Sequence, residues 1–114
     1  MFKSHQINQS QETISFIDKV KLVTSSTIEV FDLNGRLDGD DSLLFILTAL
    51  QNNPRNIVST LNLQNCQLTN KSAQALIEFV VNNRRIIEVN IQDNAYSANI
   101  HTMLHNALDL NRLL

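Results

Sequence analysis

Three side chains near the C-terminus have the spacing of metal ligands. His101, His105 and Asp109 stand at i, i+4 and i+8, so a helix there would carry them on one stripe that could hold a transition metal. The glutamate of an H-E-x-x-H site is missing, and His101 takes a place that Leu43 and Ala73 fill in two related upstream segments, which favours partial packing over ligation. Cys66 has no histidine nearby in sequence to activate a thiolate. Asp38-Gly39-Asp40-Asp41 has the composition of a cation loop but lacks the spacing and closing glutamate of a calcium site, so turn chemistry followed by a helix N-cap is expected. Arg84 and Arg85 are too small a basic spot to argue for nucleic acid. With only Gly35 and Gly39 in the chain there is no glycine-rich loop to cradle phosphate. The expectation is therefore no enzyme, no catalytic residue, no metal and no cofactor.

The elements that would position any functional residue are set by a repeat. Val58-x-x-Leu61-x-Leu63-x-x-Cys66-x-Leu68 recurs further along the chain as Ile86-x-x-Val89-x-Ile91-x-x-Asn94-x-Tyr96. The match continues beyond the motif: Leu76, Val80 and Asn83 follow Val58 at the same intervals at which Leu104, Leu108 and Asn111 follow Ile86. A third copy lies upstream, beginning with Ile28-x-x-Phe31-x-Leu33 and continuing with Ile46, Leu50 and Asn53. It weakens where Arg36 and Asp38 replace Cys66 and Leu68, although Leu37 could plug the core if the turn were one residue shorter. Phe16 and Val20 precede Ile46 and Leu50 by the interval that separates Ile28 from Val58, as if the chain opened with the second half of a unit. Period-two alternation at Phe31/Leu33, Leu61/Leu63 and Val89/Ile91 predicts strands with one inward face. Helical spacing predicts helices over 42–53, 71–83 and 98–111, with Asp41, Asn70 and Ser97 as N-caps and Pro54 beyond the end of the first.

These residues resemble the leucine-rich repeats, whose consensus is L-x-x-L-x-L-x-x-N/C-x-L. The unit length, together with apolar nineteenth and twenty-third places, is similar to that of the ribonuclease-inhibitor-like subclass, although Ser42, Ser72 and Ile100 stand where that subclass usually has glycine. The resemblance implies an α/β fold: a short solenoid with a parallel three-stranded sheet on the concave side, helices on the convex side and an N-terminal helix as cap. The division is a flexible tail over 1–10 and one domain over 11–114, made of a half-unit at 11–27 and units at about 28–57, 58–85 and 86–114. The resemblance also implies protein binding, with an asparagine ladder at the ninth place that Asn94 and Cys66 would occupy.

Composition narrows the partner. Nine Lys and Arg against 11 Asp and Glu give a net charge of −2, which offers no basic field for nucleic acid or an anionic membrane. The longest nearly apolar run, Leu43 to Leu50, has eight residues, and a span needs about 20. One cysteine and no signal-like stretch after Met1-Phe2-Lys3 point to a soluble, cytoplasmic protein. The 15 Asn and 8 Gln are the most unusual feature, and an amide-rich surface should bind with little sensitivity to salt.

Strand geometry places the candidate binding residues. Those between the inward positions form ladders across the sheet: Asp32, Asn62 and Asn90; Asn34, Gln64 and Gln92; and Thr60 with Glu88, beside Glu29. The leading expectation is a non-catalytic module that holds a protein or peptide on these nine residues. The alternative is a self-associating protein whose uncapped last repeat, around Leu113 and Leu114, forms a homodimer through the C-terminal end.

Overall fold

The inward residues Phe31, Leu61 and Val89 sit side by side on three parallel strands: β1 (Val30–Asp32), β2 (Thr60–Asn62) and β3 (Glu88–Asn90), in the order β1-β2-β3. The structure, a computed structural model, describes residues 13–113; the tail expected at 1–10 and Leu114 lie outside the described residues. Among the described residues four α-helices accompany the sheet: α1 (Phe16–Val23), α2 (Asp40–Gln51), α3 (Ala73–Asn82) and α4 (Ala98–Leu113). Each packs on the next, α1 on α2, α2 on α3 and α3 on α4. The result is a small α/β fold with an open parallel sheet that is not curled. Strand pairing matches Phe31 with Leu61 and Leu61 with Val89, the same spacings that relate the copies in the sequence.

The core lies between sheet and helices. Phe31 and Leu61 from the strands, with Leu33 and Leu63 just after them, meet Leu43, Ile46, Leu50, Leu76 and Val80 from the helices, all at most 1% exposed. Each strand is only three residues long, too short to stand alone, so burial between neighbouring units supplies the stability that strand pairing cannot. In the first unit Leu37 fills the core at 1% exposure, which absorbs the loss of the Cys66 and Leu68 equivalents.

The helix starts differ from those expected. Helix α2 begins at Asp40, and its N-cap is Gly39, not Asp41. Gly39 has φ +122°, a conformation open to glycine and strained for other residues, and it turns the chain early enough to bring Asp40 and Asp41 into the first helical turn. A 3₁₀ turn at Asn70–Ser72 precedes α3, and Thr69, not Asn70, caps it by accepting from the Lys71 N–H. Ser97 directly precedes α4, which runs two residues past the expected end, with Arg112 in its last turn.

One further repeat is visible only in the backbone. Gly35, Asn65 and Asp93 each stand seven residues after the first apolar residue of their unit, and their φ angles are +71°, +54° and +60°. Glycine, asparagine and aspartate are the residue types that enter this left-handed region most readily, so three different residues solve one turn.

Replacing Leu61 by alanine should cost about 2–5 kcal/mol by opening a cavity between units. Asn62→Ala, which loses only half-buried hydrogen bonds, should cost about 1 kcal/mol. Chemical denaturation of the two variants makes the comparison, and equal losses would contradict the facing seen here.

Candidate functional site

Of the nine candidate residues, five lie on the strands, three follow them and one, Glu29, precedes β1. Asp32, Asn62 and Asn90 are in register across the three strands, and Thr60 and Glu88 are in register with Val30, which is 56% exposed. Asn34, Gln64 and Gln92 follow the strands, and each gives its backbone N–H to the side chain two residues earlier: Asp32 Oδ1 at 3.3 Å, Asn62 Oδ1 at 3.2 Å and Asn90 Oδ1 at 3.0 Å. The first ladder thus bends the chain out of each strand as well as facing solvent. Glu29 stands one residue before β1; its carbonyl accepts from the Ser59 and Thr60 N–H groups, and its side chain is exposed.

Side chains also bond along the ladders. Asn62 Nδ2 donates to Asp32 Oδ1 at 3.0 Å, and Asn90 Nδ2 donates to Gln64 Oε1 at 3.2 Å. Gln64 Nε2 donates to Asp93 Oδ2 at 2.9 Å. Asp93 therefore belongs to this cluster although it comes from a turn and not from a strand. In the sequence it already counts, with Glu29, Asp32 and Glu88, among the four acidic residues that make this face mildly acidic. A shallow depression of 190 Å³ lies between Val30, Asp32, Thr60, Asn62, Glu88 and Asn90.

Other tempting residues are engaged in structure. Asn94 Oδ1 accepts from the N–H groups of Cys66 and Leu68, each at 2.9 Å, while Nδ2 donates to the Leu63, Ile91 and Gln92 carbonyls. Cys66 reaches the preceding unit in the same way, Sγ lying 3.0 Å from the Leu33 carbonyl oxygen. It is fully buried, and that burial pushes its thiol pKa up, which disfavours the reactive thiolate.

Within the acidic run, Asp40 ties three units together. Its Oδ1 accepts from the Thr69 N–H at 2.9 Å and the Ser72 hydroxyl at 2.7 Å, and its Oδ2 accepts from the Thr69 hydroxyl at 2.6 Å. With the Ser72 proton directed at Asp40, the Tyr96 hydroxyl is the donor in its 2.6 Å contact with Ser72. Burial disfavours the Asp40 carboxylate, but the Ser72 and Thr69 hydroxyls, the Thr69 N–H and the Lys71 charge outweigh it and hold the carboxyl below its ordinary range. Asp38 is lowered mainly by its hydrogen bond from the Ser42 hydroxyl.

On α4, His105 Nε2 lies 3.3 Å from Asp109 Oδ2, and Arg112 Nη1 takes Asp109 Oδ1 at 3.1 Å. Among the described residues no group of three or more His, Cys, Asp and Glu side chains gathers as a metal site would require. His101 and His105 instead line a 190 Å³ groove beside the outer edge of β3, with Val89, Ile91, Leu104 and Leu108. Leu113, expected at this open end, is 80% exposed on α4 and does not line the groove. No helix among the described residues is long and apolar enough to cross a membrane.

No family model and no curated protein sequence matches the chain. Among solved structures the fold is similar to that of leiomodin-1 actin-binding site 2 (ABS2), with a TM-score of 0.63 at 17% identity over 92% of this chain and 78% of that one. At that identity the likeness is one of fold alone.

Because the folded-state pKa of Asp40 lies below its ordinary value of 3.8, the carboxylate contributes stability above that pH and loses it as pH falls through the folded value. The stability gap between the wild type and Asp40→Asn should be widest near neutral pH and narrow below about pH 4. Denaturation midpoints of both proteins between pH 7 and pH 3 would show it. A gap independent of pH would mean that the charge is not what matters. Asn94→Ala, which strands two N–H groups and a neighbouring unit's carbonyl, should cost about 1–3 kcal/mol or more at any pH in this range.

Proposed function

We propose that the chain is a short leucine-rich repeat module that holds a protein or peptide on its sheet face and carries out no catalysis of its own. The observation that carries this reading is the in-register solvent row of Asp32, Asn62 and Asn90, flanked by Val30, Thr60 and Glu88. Side chains from three distant stretches of sequence make one continuous surface there, outside the apolar core. The agreement between strand register and sequence repeat, and the equivalent roles of Asn94 and Cys66, support the repeat assignment. The solved protein of like fold is named as an actin-binding site, which is consistent with a fold of this kind serving protein contact. Cytoplasmic residence fits a free buried cysteine.

Self-association through the outer edge of β3 is the competing reading, favoured by the groove beside that edge and by the unpaired backbone groups of an edge strand. Two variants separate the readings. Thr60→Trp puts bulk at the centre of the sheet face without changing charge, whereas His101→Asp with His105→Asp puts carboxylates in the edge groove. Partner capture from an extract of the source cells should be lost with the first and kept with the second, while the mass in solution stays that of a monomer. A dimer broken only by the histidine pair would favour self-association, and two silent variants would remove both surfaces.

A further inference from the structure

We infer that the partner segment on the sheet face is basic, an arginine- or lysine-bearing stretch of protein whose cations meet Glu29, Asp32, Glu88 and Asp93; this rests on the sheet face being the docking surface. The first support is charge. None of the eight Lys and Arg among the described residues stands at a face position, although the whole chain is only −2. Arg112 reaches the lower edge of the sheet, but its Nε donates to the Ile87 carbonyl at 2.8 Å and its Nη1 is paired with Asp109. The second support is independent and concerns which atoms are already bonded. The amide donors at the centre of the face each bond inward, Asn62 to Asp32, Asn90 to Gln64 and Gln64 to Asp93. The Asn62 and Asn90 oxygens are taken by backbone N–H groups. What stays open at and around the centre of the face, among the described residues, is carboxylate: both oxygens of Glu29 and Glu88, Oδ2 of Asp32 and Oδ1 of Asp93, with the neutral Thr60 hydroxyl and the Asn34 and Gln92 amides beside them.

A surface whose central amides, Asn62, Gln64 and Asn90, are bonded inward and whose carboxylates keep unpaired oxygens selects donors. A guanidinium offers five N–H groups in a planar fork that fits a carboxylate, and its aliphatic stem can lie along exposed Val30 beside Thr60. The phosphates of a nucleic acid backbone offer only acceptors and negative charge, and the carboxylates repel them. The amide content of the chain suggested salt-insensitive binding, but the atoms left available reverse that expectation, because contacts between exposed charges weaken with ionic strength.

The probe is a fluorescein-labelled octapeptide, Arg-Ala-Arg-Val-Arg-Ala-Arg-Val, with a control in which every arginine is glutamine, followed by fluorescence anisotropy at low and high salt. The arginine peptide should bind, and the control should not. Glu29→Gln with Glu88→Gln should weaken it about tenfold. Asp18→Asn with Glu78→Gln, which removes the same charge away from the sheet, should change it less than about twofold. Equal weakening by the two pairs would reduce the effect to net charge and overturn the inference, as would equal binding of the control peptide. If neither peptide binds while Thr60→Trp still abolishes partner capture, the sheet face remains the docking surface and its partner is not basic.

Discussion

Each strand and helix of this protein leaves backbone groups that its own unit cannot bond, and the fold depends on amide side chains that bond them. The last carbonyls of a helix have no intrahelical donor. Here an asparagine supplies one at three helix ends. Asn53 reaches back to the Val23 and Ser25 carbonyls beyond α1, and Asn56 bonds the Leu50 and Asn53 carbonyls at the end of α2. Asn111 bonds those of Val80, Asn83 and Ile86 after α3. At the opposite end of the units Asn94 and Cys66 do the same for the turns that leave the strands. Among the described residues no buried side-chain nitrogen or oxygen is left without a partner. Much of the amide excess is therefore the cost of irregular backbone held between short elements.

This constraint also explains how the units are locked in order. Hydrophobic burial is non-directional and would tolerate some sliding of one layer over the next. Hydrogen bonds from Asn53 to α1, from Asn111 to α3 and from Asn94 to the second unit each join residues 25 to 31 apart, so they are satisfied in one register only. Asp40 adds a charged version at the helix-start end, where Thr69 and Ser72 of the second unit bond it and Tyr96 of the third bonds Ser72. Asn56 is the exception that fits the rule. It lies in the longer loop after α2 and caps that helix locally, where Asn111 caps α3 from the following unit.

The parts of this arrangement legible in the sequence were those governed by periodic burial. Phe31, Leu61 and Val89 could be aligned because a buried position tolerates few residue types, and the spacing between copies is the strand register itself. Leu37 was legible for the same reason. Helix starts were less so, because several neighbouring polar residues are competent caps and the backbone decides among them: Gly39 and Thr69 prevailed over Asp41 and Asn70. The left-handed turn was hidden because glycine, asparagine and aspartate occupy it in turn. The Asp40 cluster could not be read at all, since its members lie 29 and 32 residues away and only the stacked fold brings them together.

For the candidate site, position was legible and availability was not. Alternation alone assigns Asp32, Asn62 and Asn90 to the solvent side, and the pairing agrees. Residue type then gives a face rich in amides and mildly acidic through Glu29, Asp32, Glu88 and Asp93, with the amides expected to dominate its contacts. The geometry shifts the balance towards the carboxylates, because an amide already bonded to its neighbour offers a partner less than its sequence letter implies, while an unpaired carboxylate offers more. The same asparagines that fix the turns and bridge the strands have their own donors occupied, and beside them stand four acidic side chains, two on the strands and two next to them, with unpaired oxygens. On the proposed reading of this face as a docking surface, specificity would reside in Glu29, Asp32, Glu88 and Asp93, of which the ladder holds Asp32 and Asp93 in place through Asn62 and Gln64 and leaves Glu29 and Glu88 free to reach a partner.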